Sequence, residues 1–354
     1  MPATSIDTFF ACSLMVLLTV VAMASTTKVI YSYIGNRQEK SEVERFYALS
    51  KRLLLDCGTP ADWGKYGEEI PERFGLAESG AETTYVLDID KVSRLSDRNH
   101  FRVTYAQAYS ALGMPDLSFK MEIKPVFDVT VNLTAKYEGI NETTYTFRIL
   151  TERDGAPVSA ELKCYVVSEK HVQQREANAS SGQIHVNMSI PNSDAGPALF
   201  AVLTRSPYDL RIASFNTYSF QHGSATPKPG GTYAKLSPLN HSLTVSLNHP
   251  LTNVSQVYAL TFNCISTLAR TEVSNQSAVY RIPSFTEPSP IMLVAAGYNF
   301  TDFFTEWMAY PQVPVQFGVS PAGRSNTVTC HYIVEINSVI YKCTIWIGGL
   351  TDEK

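Results

Sequence analysis

The spacing of apolar and polar positions divides the chain into three regimes. From Thr8 to Thr27 the stretch TFFACSLMVLLTVVAMASTT runs 20 residues without a charge, between Asp7 and Lys28. At about 1.5 Å per residue, a helix of that length spans roughly 30 Å, the thickness of a bilayer's hydrocarbon core. After Lys28 the apolar positions narrow to a stripe at Val43, Phe46, Tyr47, Ser50, Leu53 and Leu54, while Arg37, Glu39, Lys40, Glu42, Glu44 and Arg45 fall mostly elsewhere. That spacing is helical. One long helix is expected, half in lipid and half amphipathic, stopped at Asp56-Cys57-Gly58-Thr59-Pro60 by a glycine cap and a proline.

A compact segment follows, with a short strand expected from Thr84 to Ile89. Ser96 is placed to cap a helix whose Phe101, Tyr105, Ala108, Tyr109 and Leu112 share a face and which Gly113 and Pro115 end. Asp88 and Asp90 read as solvated acids at a strand end, because no third carboxylate accompanies them to make a metal site.

From Leu117 the period falls to two. Phe119-Met121-Ile123, Val129-Val131-Leu133, Tyr145-Phe147-Ile149, Leu162-Cys164-Val166 and Ile184-Val186-Met188-Ile190 alternate, and a continuous apolar run covers 198 to 203. Turn residues separate them. This predicts an immunoglobulin-like β-sandwich over 124–215 without a Cys-Trp-Cys core. Beyond the loop Gly223 to Gly231 come further strands around Leu243, Val257, Val279, Ile291, Val313, Val328 and Val339, with a helical turn expected at Thr301 to Met308. The fold class is α+β, mainly β. Its parts are a membrane anchor (1–34), an amphipathic helix with a small α+β head (35–123), the sandwich (124–215) and a second β-rich domain (216–354). No internal repeat is visible.

Composition adds location. Net charge is −4 and no long basic block occurs, which argues against a nucleic-acid partner. Eight asparagines, Asn132, Asn141, Asn178, Asn187, Asn240, Asn253, Asn275 and Asn299, sit in Asn-X-Ser/Thr, where chance gives about three. They are glycosylation candidates and favour an exterior body. The alternative is accidental sequons in a Thr/Ser-rich β protein. Lys28, Arg37 and Lys40 after the apolar run point the other way by the positive-inside rule, which is weak ahead of a long domain. A cleaved signal is the rival of a retained anchor, since Ala22-Met23-Ala24 fits a cleavage site, but MPATSID lacks the basic residues of a signal's first segment.

Cys12 lies in the apolar run, leaving Cys57, Cys164, Cys264, Cys330 and Cys343 for the body. Cys330 and Cys343 are equidistant from a four-residue loop centred on Glu335-Ile336-Asn337-Ser338, which places them opposite one another and predicts a disulfide. Cys164 with Cys264 is a weaker second pairing.

The stretch Leu53 to Trp63, LLLDCGTPADW, with Phe74-Gly75-Leu76-Ala77 and the helix end Tyr109-Ser110-Ala111-Leu112-Gly113, resembles archaeal membrane-anchored proteins of the type IV pilin-like class. The resemblance covers about the first 125 residues. It implies an N-terminal helix, half apolar and half amphipathic, carrying a β-rich extracellular body. One departure matters: the Lys/Arg-Gly/Ala processing site that precedes the apolar run in such precursors is missing, and only Asp7 could stand in for the usual early Glu.

Gly-X-Ser-X-Gly, HExxH, P-loop and GxGxxG-after-strand patterns are absent, and neighbouring Cys330 and His331 in a strand point to opposite faces. The sequence therefore reads as a non-catalytic structural or adhesive surface protein, without a cofactor or metal site. The alternative is an extracytoplasmic enzyme or solute-binding accessory subunit with a site built from scattered residues. The expected partners are the membrane and, through the amphipathic stripe and the small residues Ala11, Ser13, Ala22, Ala24 and Ser25, another copy of the helix or a pilin-like chain; the ligand is unknown.

Overall fold

The computed structural model describes residues 3–114, 117–194, 196–223, 233–274, 276–321 and 327–349. It divides into two units, Met1–Ser50 and Lys51–Lys354. The first is helix α1 (Ala3–Leu55), whose last turn enters the second unit. Asp7–Lys28, 22 residues, is long and apolar enough to cross a membrane. Thr19, Thr26 and Thr27 donate their hydroxyls to carbonyls one turn back, at 2.7, 2.7 and 2.8 Å, which satisfies these polar groups without solvent. In the amphipathic half Phe46, Leu49 and Ser50 are buried and Tyr47 is exposed, so the buried stripe takes in Leu49 instead of Tyr47.

The second unit begins with a head built from β1 (Val86–Leu87), α2 (Ile89–Ser93), α3 (Tyr105–Leu112) and β2 (Leu117–Pro125). Gly58, at φ +78°, turns the chain away after α1. The segment 73–77 then returns along it: Leu76 N–H donates to Leu53 O at 2.9 Å, Ala77 N–H to Asp56 O at 3.0 Å, and Phe74 N–H to Ala111 O at 3.3 Å. Gly75 is required there, because a Cβ would lie 2.2 Å from Asp56 O. The helix cap expected at Ser96 is instead Thr104, which forms a capping box with Gln107. Ser96 lies in the turn after α2, accepting from Arg98 N–H at 3.3 Å.

The first sandwich consists of β3 (Asp128–Glu138), β4 (Glu142–Arg153), β5 (Ala156–Pro157), β6 (Ala160–Val167), β7 (Val172–Ala179), β8 (Gln183–Pro191), β9 (Gly196–Arg205) and β10 (Ala213–His222). One sheet contains β3, β4 and β8, with β5 beside β4; the other runs β10-β9-β6-β7. This is the immunoglobulin-like arrangement. Where antibody domains tie the second and sixth strands by a disulfide, Phe147 of β4 and Phe200 of β9 stack at 3.9 Å and 4°.

The second sandwich repeats that arrangement. β11 (Ala234–Leu239), β12 (Ser242–Leu247), β13 (Thr252–Leu260), β14 (Ile265–Thr267), β15 (Ala269–Val273), β16 (Ser277–Arg281), β17 (Ile291–Asn299) and β18 (Asp302–Tyr310) form sheets β11-β12-β16-β15 and β14-β13-β17-β18. The helical turn expected at 301–308 is strand β18. Phe300-Thr301 forms a two-residue turn, with Phe300 at φ +58° and Asn299 opposite Asp302, and the following residues pair with β17.

The last strands are β19 (Val315–Gly318), β20 (Val328–Ile336) and β21 (Val339–Gly349). They return to the head, whose sheet is ordered β1-β20-β21-β2-β19. The region 216–354 is therefore not one domain: the first sandwich extends to His222, the second ends at Tyr310, and the rest completes the head. The two sandwiches are an excursion between neighbouring strands. Their sheets β10-β9-β6-β7 and β14-β13-β17-β18 meet through an apolar interface that includes Tyr165, Leu199 and Leu203 on one side and Leu260, Met292 and Val294 on the other.

His222, at the end of β10, is buried between the sheets of the first sandwich. Its Nε2 faces the Pro191 carbonyl at 3.1 Å and so carries the proton; Nδ1 then accepts from the Tyr145 hydroxyl at 2.8 Å. Burial lowers its pKa below the usual 6.5. The unfolded chain binds the proton more readily, so the stabilisation from neutral His222 is complete above pH 6.5 and disappears as pH falls through the folded value. Melting temperatures measured from pH 7 down to pH 5 should fall more for the native chain than for His222→Gln; parallel curves would exclude this role.

Candidate functional site

Helix α2 has five residues, and most of its polar side chains are buried. Asp88 caps it, accepting from Asp90 N–H at 2.9 Å and Lys91 N–H at 3.0 Å. Lys91, fully buried, donates to Cys57 O at 2.9 Å and Ala77 O at 2.8 Å. Arg94, just past the helix, donates to five carbonyls, those of Trp63, Tyr66, Gly67, Glu69 and Phe101. Its guanidinium also lies 5.4 Å from the Trp63 ring centre. Burial lowers its pKa to about 10, which leaves it charged at neutral pH.

Asp90 faces the second sandwich. Its Oδ1 accepts from Asn240 N–H and from the Tyr310 hydroxyl, each at 2.8 Å. The Asp88 and Asp90 pair is thus neither solvated nor grouped with a third metal-ligating side chain among the described residues. Next to α2, Asn99 donates to Pro238 O at 3.2 Å and Ser237 Oγ accepts from His100 N–H at 3.0 Å.

Beside this junction lies a cleft of about 590 Å³ between the head and both sandwiches. Its walls include Arg98, Glu122, Lys124, Asp128, Phe215 and Trp307. It continues through Arg98, Trp307 and Met308 into a second hollow of about 520 Å³ that reaches Glu306 and Lys235. Phe215 and Trp307 meet edge to face at 6.3 Å and 82°. Gln316 donates to Glu122 at 2.8 Å. Gln312 also lines the cleft; it is 4% exposed, and neither its Nε2 nor its Oε1 has a hydrogen-bond partner among the described residues. The volume is in the range of ligand sites, and the lining mixes apolar residues with polar and charged ones of both signs.

Sequence reasoning missed this cleft. Its residues come from segments around 97, 124, 215 and 308–316, and 301–308 was expected to be helical. Trp307 and the Pro-flanked Tyr310-Pro311-Gln312-Val313-Pro314 were the visible signals.

The disulfide expected between Cys330 and Cys343 is not formed; both are free, buried thiols. Asn337 and Ser338, both at positive φ, make a two-residue turn, so the hairpin centre moves by one residue from the expected loop. Cys330 then faces Ile345, and Cys343 faces Tyr332. Cys164 is buried and Cys264 exposed, each free. Of the sequon asparagines, Asn132, Asn141, Asn178, Asn187, Asn240 and Asn253 are exposed, and Asn299 is half-buried, accepting from Thr252 at 3.0 Å. Asn275 lies outside the described residues. No described sequon asparagine lines the cleft.

No family model and no curated protein matches the chain. Among solved structures it is similar to a marsupial T cell receptor at 10% identity and a TM-score of 0.18, over 52% of this chain and 94% of the other. Nothing is carried over to this chain from a likeness at that level.

Two expectations follow from these contacts. Burial raises the Asp90 pKa, so the charge is held at a cost near neutral pH, and Asp90→Asn keeps an oxygen for both donors. Asp90→Asn should match or exceed native stability at pH 7, with the native chain gaining on it as pH falls towards 3.8. Asp90→Ala leaves the Tyr310 hydroxyl and Asn240 N–H unpaired and should cost about 2–4 kcal/mol in denaturant unfolding; equal losses for both variants would contradict the assignment. Burial pushes the Cys164 and Cys343 thiols up to about 12. In the folded protein a thiol reagent should label Cys264 and reach Cys164, Cys330 and Cys343 only on unfolding.

Proposed function

We propose that this chain is a membrane-anchored cell-surface protein of the type IV pilin-like class, its body outside the membrane and its role structural or adhesive. What carries the reading is the pairing of an exposed helical stretch, charge-free from Thr8 to Thr27, with a β-rich body on which six of seven described sequon asparagines are exposed. Support for the pilin-like part comes from the head, where Leu53 to Trp63, 74–77 and the end of α3 are joined by hydrogen bonds. The cleft favours a second reading, an extracytoplasmic binding subunit on the same anchor. In both, the helix holds the body at the membrane and associates with a neighbouring helix.

Protease applied to intact cells should release the body, and mass analysis of the released fragment should show added glycan at Asn132, Asn141 or Asn187. In the same membranes, Ala22→Cys and Ser25→Cys chains should cross-link to a partner helix. A body that resists protease until the membrane is broken would overturn the exterior placement.

A further inference from the structure

The cleft is bordered by two sheet edges that no other strand pairs with among the described residues. In a two-residue hairpin the residues flanking the turn exchange both backbone bonds, and every second pair after them does the same. From Asn299–Asp302 that rule makes Ala295–Glu306, Leu293–Met308 and Ile291–Tyr310 the bonded pairs of β17 and β18. Trp307 and Ala309 therefore direct their N–H and C=O groups away from β17, and β18 is the last strand of its sheet. Neither residue makes another backbone hydrogen bond among the described residues. Across the cleft, Ser206 N–H donates to Ile212 O at 2.8 Å, which sets the pairing of β9 and β10 and turns the backbone groups of Phe215 to the free edge of β10.

A row of outward N–H and C=O groups matches another extended chain. The unpaired Gln312 amide offers one donor group and one acceptor, the complement of a single peptide unit. Leaving both ends of a buried amide unpaired is costly. Trp307, Met308 and Phe215 supply an apolar surface for one side chain of the occupant. Arg98, Lys124, Asp97 and Asp128 line the same cleft with no ion pair among the described residues, so charges of both signs are free to meet complementary flanking side chains.

We propose that this cleft binds an extended peptide segment of a partner protein, which adds as a strand to the free edge of β18, places a backbone amide against Gln312 and seats an apolar side chain by Trp307. Oligosaccharides, which also pack on tryptophan, lack the alternating donors and acceptors that an exposed strand edge selects. The inference is independent of the side of the membrane on which the body lies.

The test uses the full chain in detergent micelles and a phage-displayed library of short linear peptides. Enriched peptides should bind in the micromolar range, and N-methylation of alternate backbone amides should abolish binding. Ala309→Pro removes an outward N–H that the β17–β18 ladder does not use, and proline is tolerated on such an edge. Gln312→Met keeps the volume without the amide. Each should weaken binding by about tenfold or more, and Gln312→Met should leave the melting temperature unchanged or raised, which separates lost recognition from lost folding. Failure to enrich peptides, binding insensitive to both variants and to N-methylation, or binding of an oligosaccharide panel in place of peptides would each overturn the proposal.

Discussion

The arrangement of the second unit depends on the ionisable side chains that helix α2 takes out of water. Burying an unpaired charge is costly enough that it persists only where every polar atom finds a partner. Arg94 meets this condition with carbonyls of the 63–69 loop and of Phe101. Lys91 does so with the carbonyls of Cys57 and Ala77, on the two strands of chain that flank the end of α1. Asp90 points the opposite way and holds the Asn240 turn and Tyr310, at the end of β18. Three side chains of one short segment thus fix the loop, the return of 73–77 along α1 and the base of the second sandwich. Their pairing is worth less as net stability than as geometry, because each admits few alternative positions for what it binds.

The sandwiches face the head with opposite ends. The first presents the β4–β5 turn and the β9–β10 loop to the tip of the closing hairpin, through Asp154 with Lys342 at 3.0 Å and Ile340 N–H to Arg211 O at 2.8 Å. The second presents its β11–β12 turn and the end of β18 to α2. At the far end, Tyr298 donates to Glu169 at 2.7 Å, tying the β6–β7 loop to the end of β17. The chain therefore runs out along one sandwich and back along the other. The apolar contact between β10-β9-β6-β7 and β14-β13-β17-β18 explains why β9 and β17 read as near-continuous apolar runs: both of their faces are covered.

Much of this was legible in local pattern. Period-two alternation at Val129-Val131, Tyr145-Phe147-Ile149 and Val186-Met188-Ile190 located the strands of the first sandwich, because each has one face on the core. Gly58 and the charge-free 8–27 stretch located the end of α1 and its membrane-length part. What stayed hidden depends on partners far away in sequence. Asp88 to Arg94 has the composition of a solvated segment, and only its neighbours make it a buried one. The Cys330–Cys343 expectation failed on a one-residue displacement of the hairpin centre, which moves every cross-strand partner. The cleft was beyond reach for the same reason: Lys124, Phe215, Trp307 and Gln312 have no pattern in common until four segments are brought together.

The chain rejoins the head through the pairing of β19 with β2, Val315 opposite Ile123, although both sandwiches intervene. The entropic cost of closing so long a loop grows only with the logarithm of its length, and it falls further when the loop consists of folded bodies whose ends already lie together. The antiparallel placement of the sandwiches supplies that condition, because it brings Tyr310 back beside the strand the chain left at Pro125. Leaving and returning at one place has a structural consequence. β10 and β18 both end up as edges near the exit, with β2 and β19 beneath them, and no strand among the described residues pairs with their outer sides. The opening between the head and the two sandwiches follows from the path of the chain, and its walls are sheet edges because the path turns there.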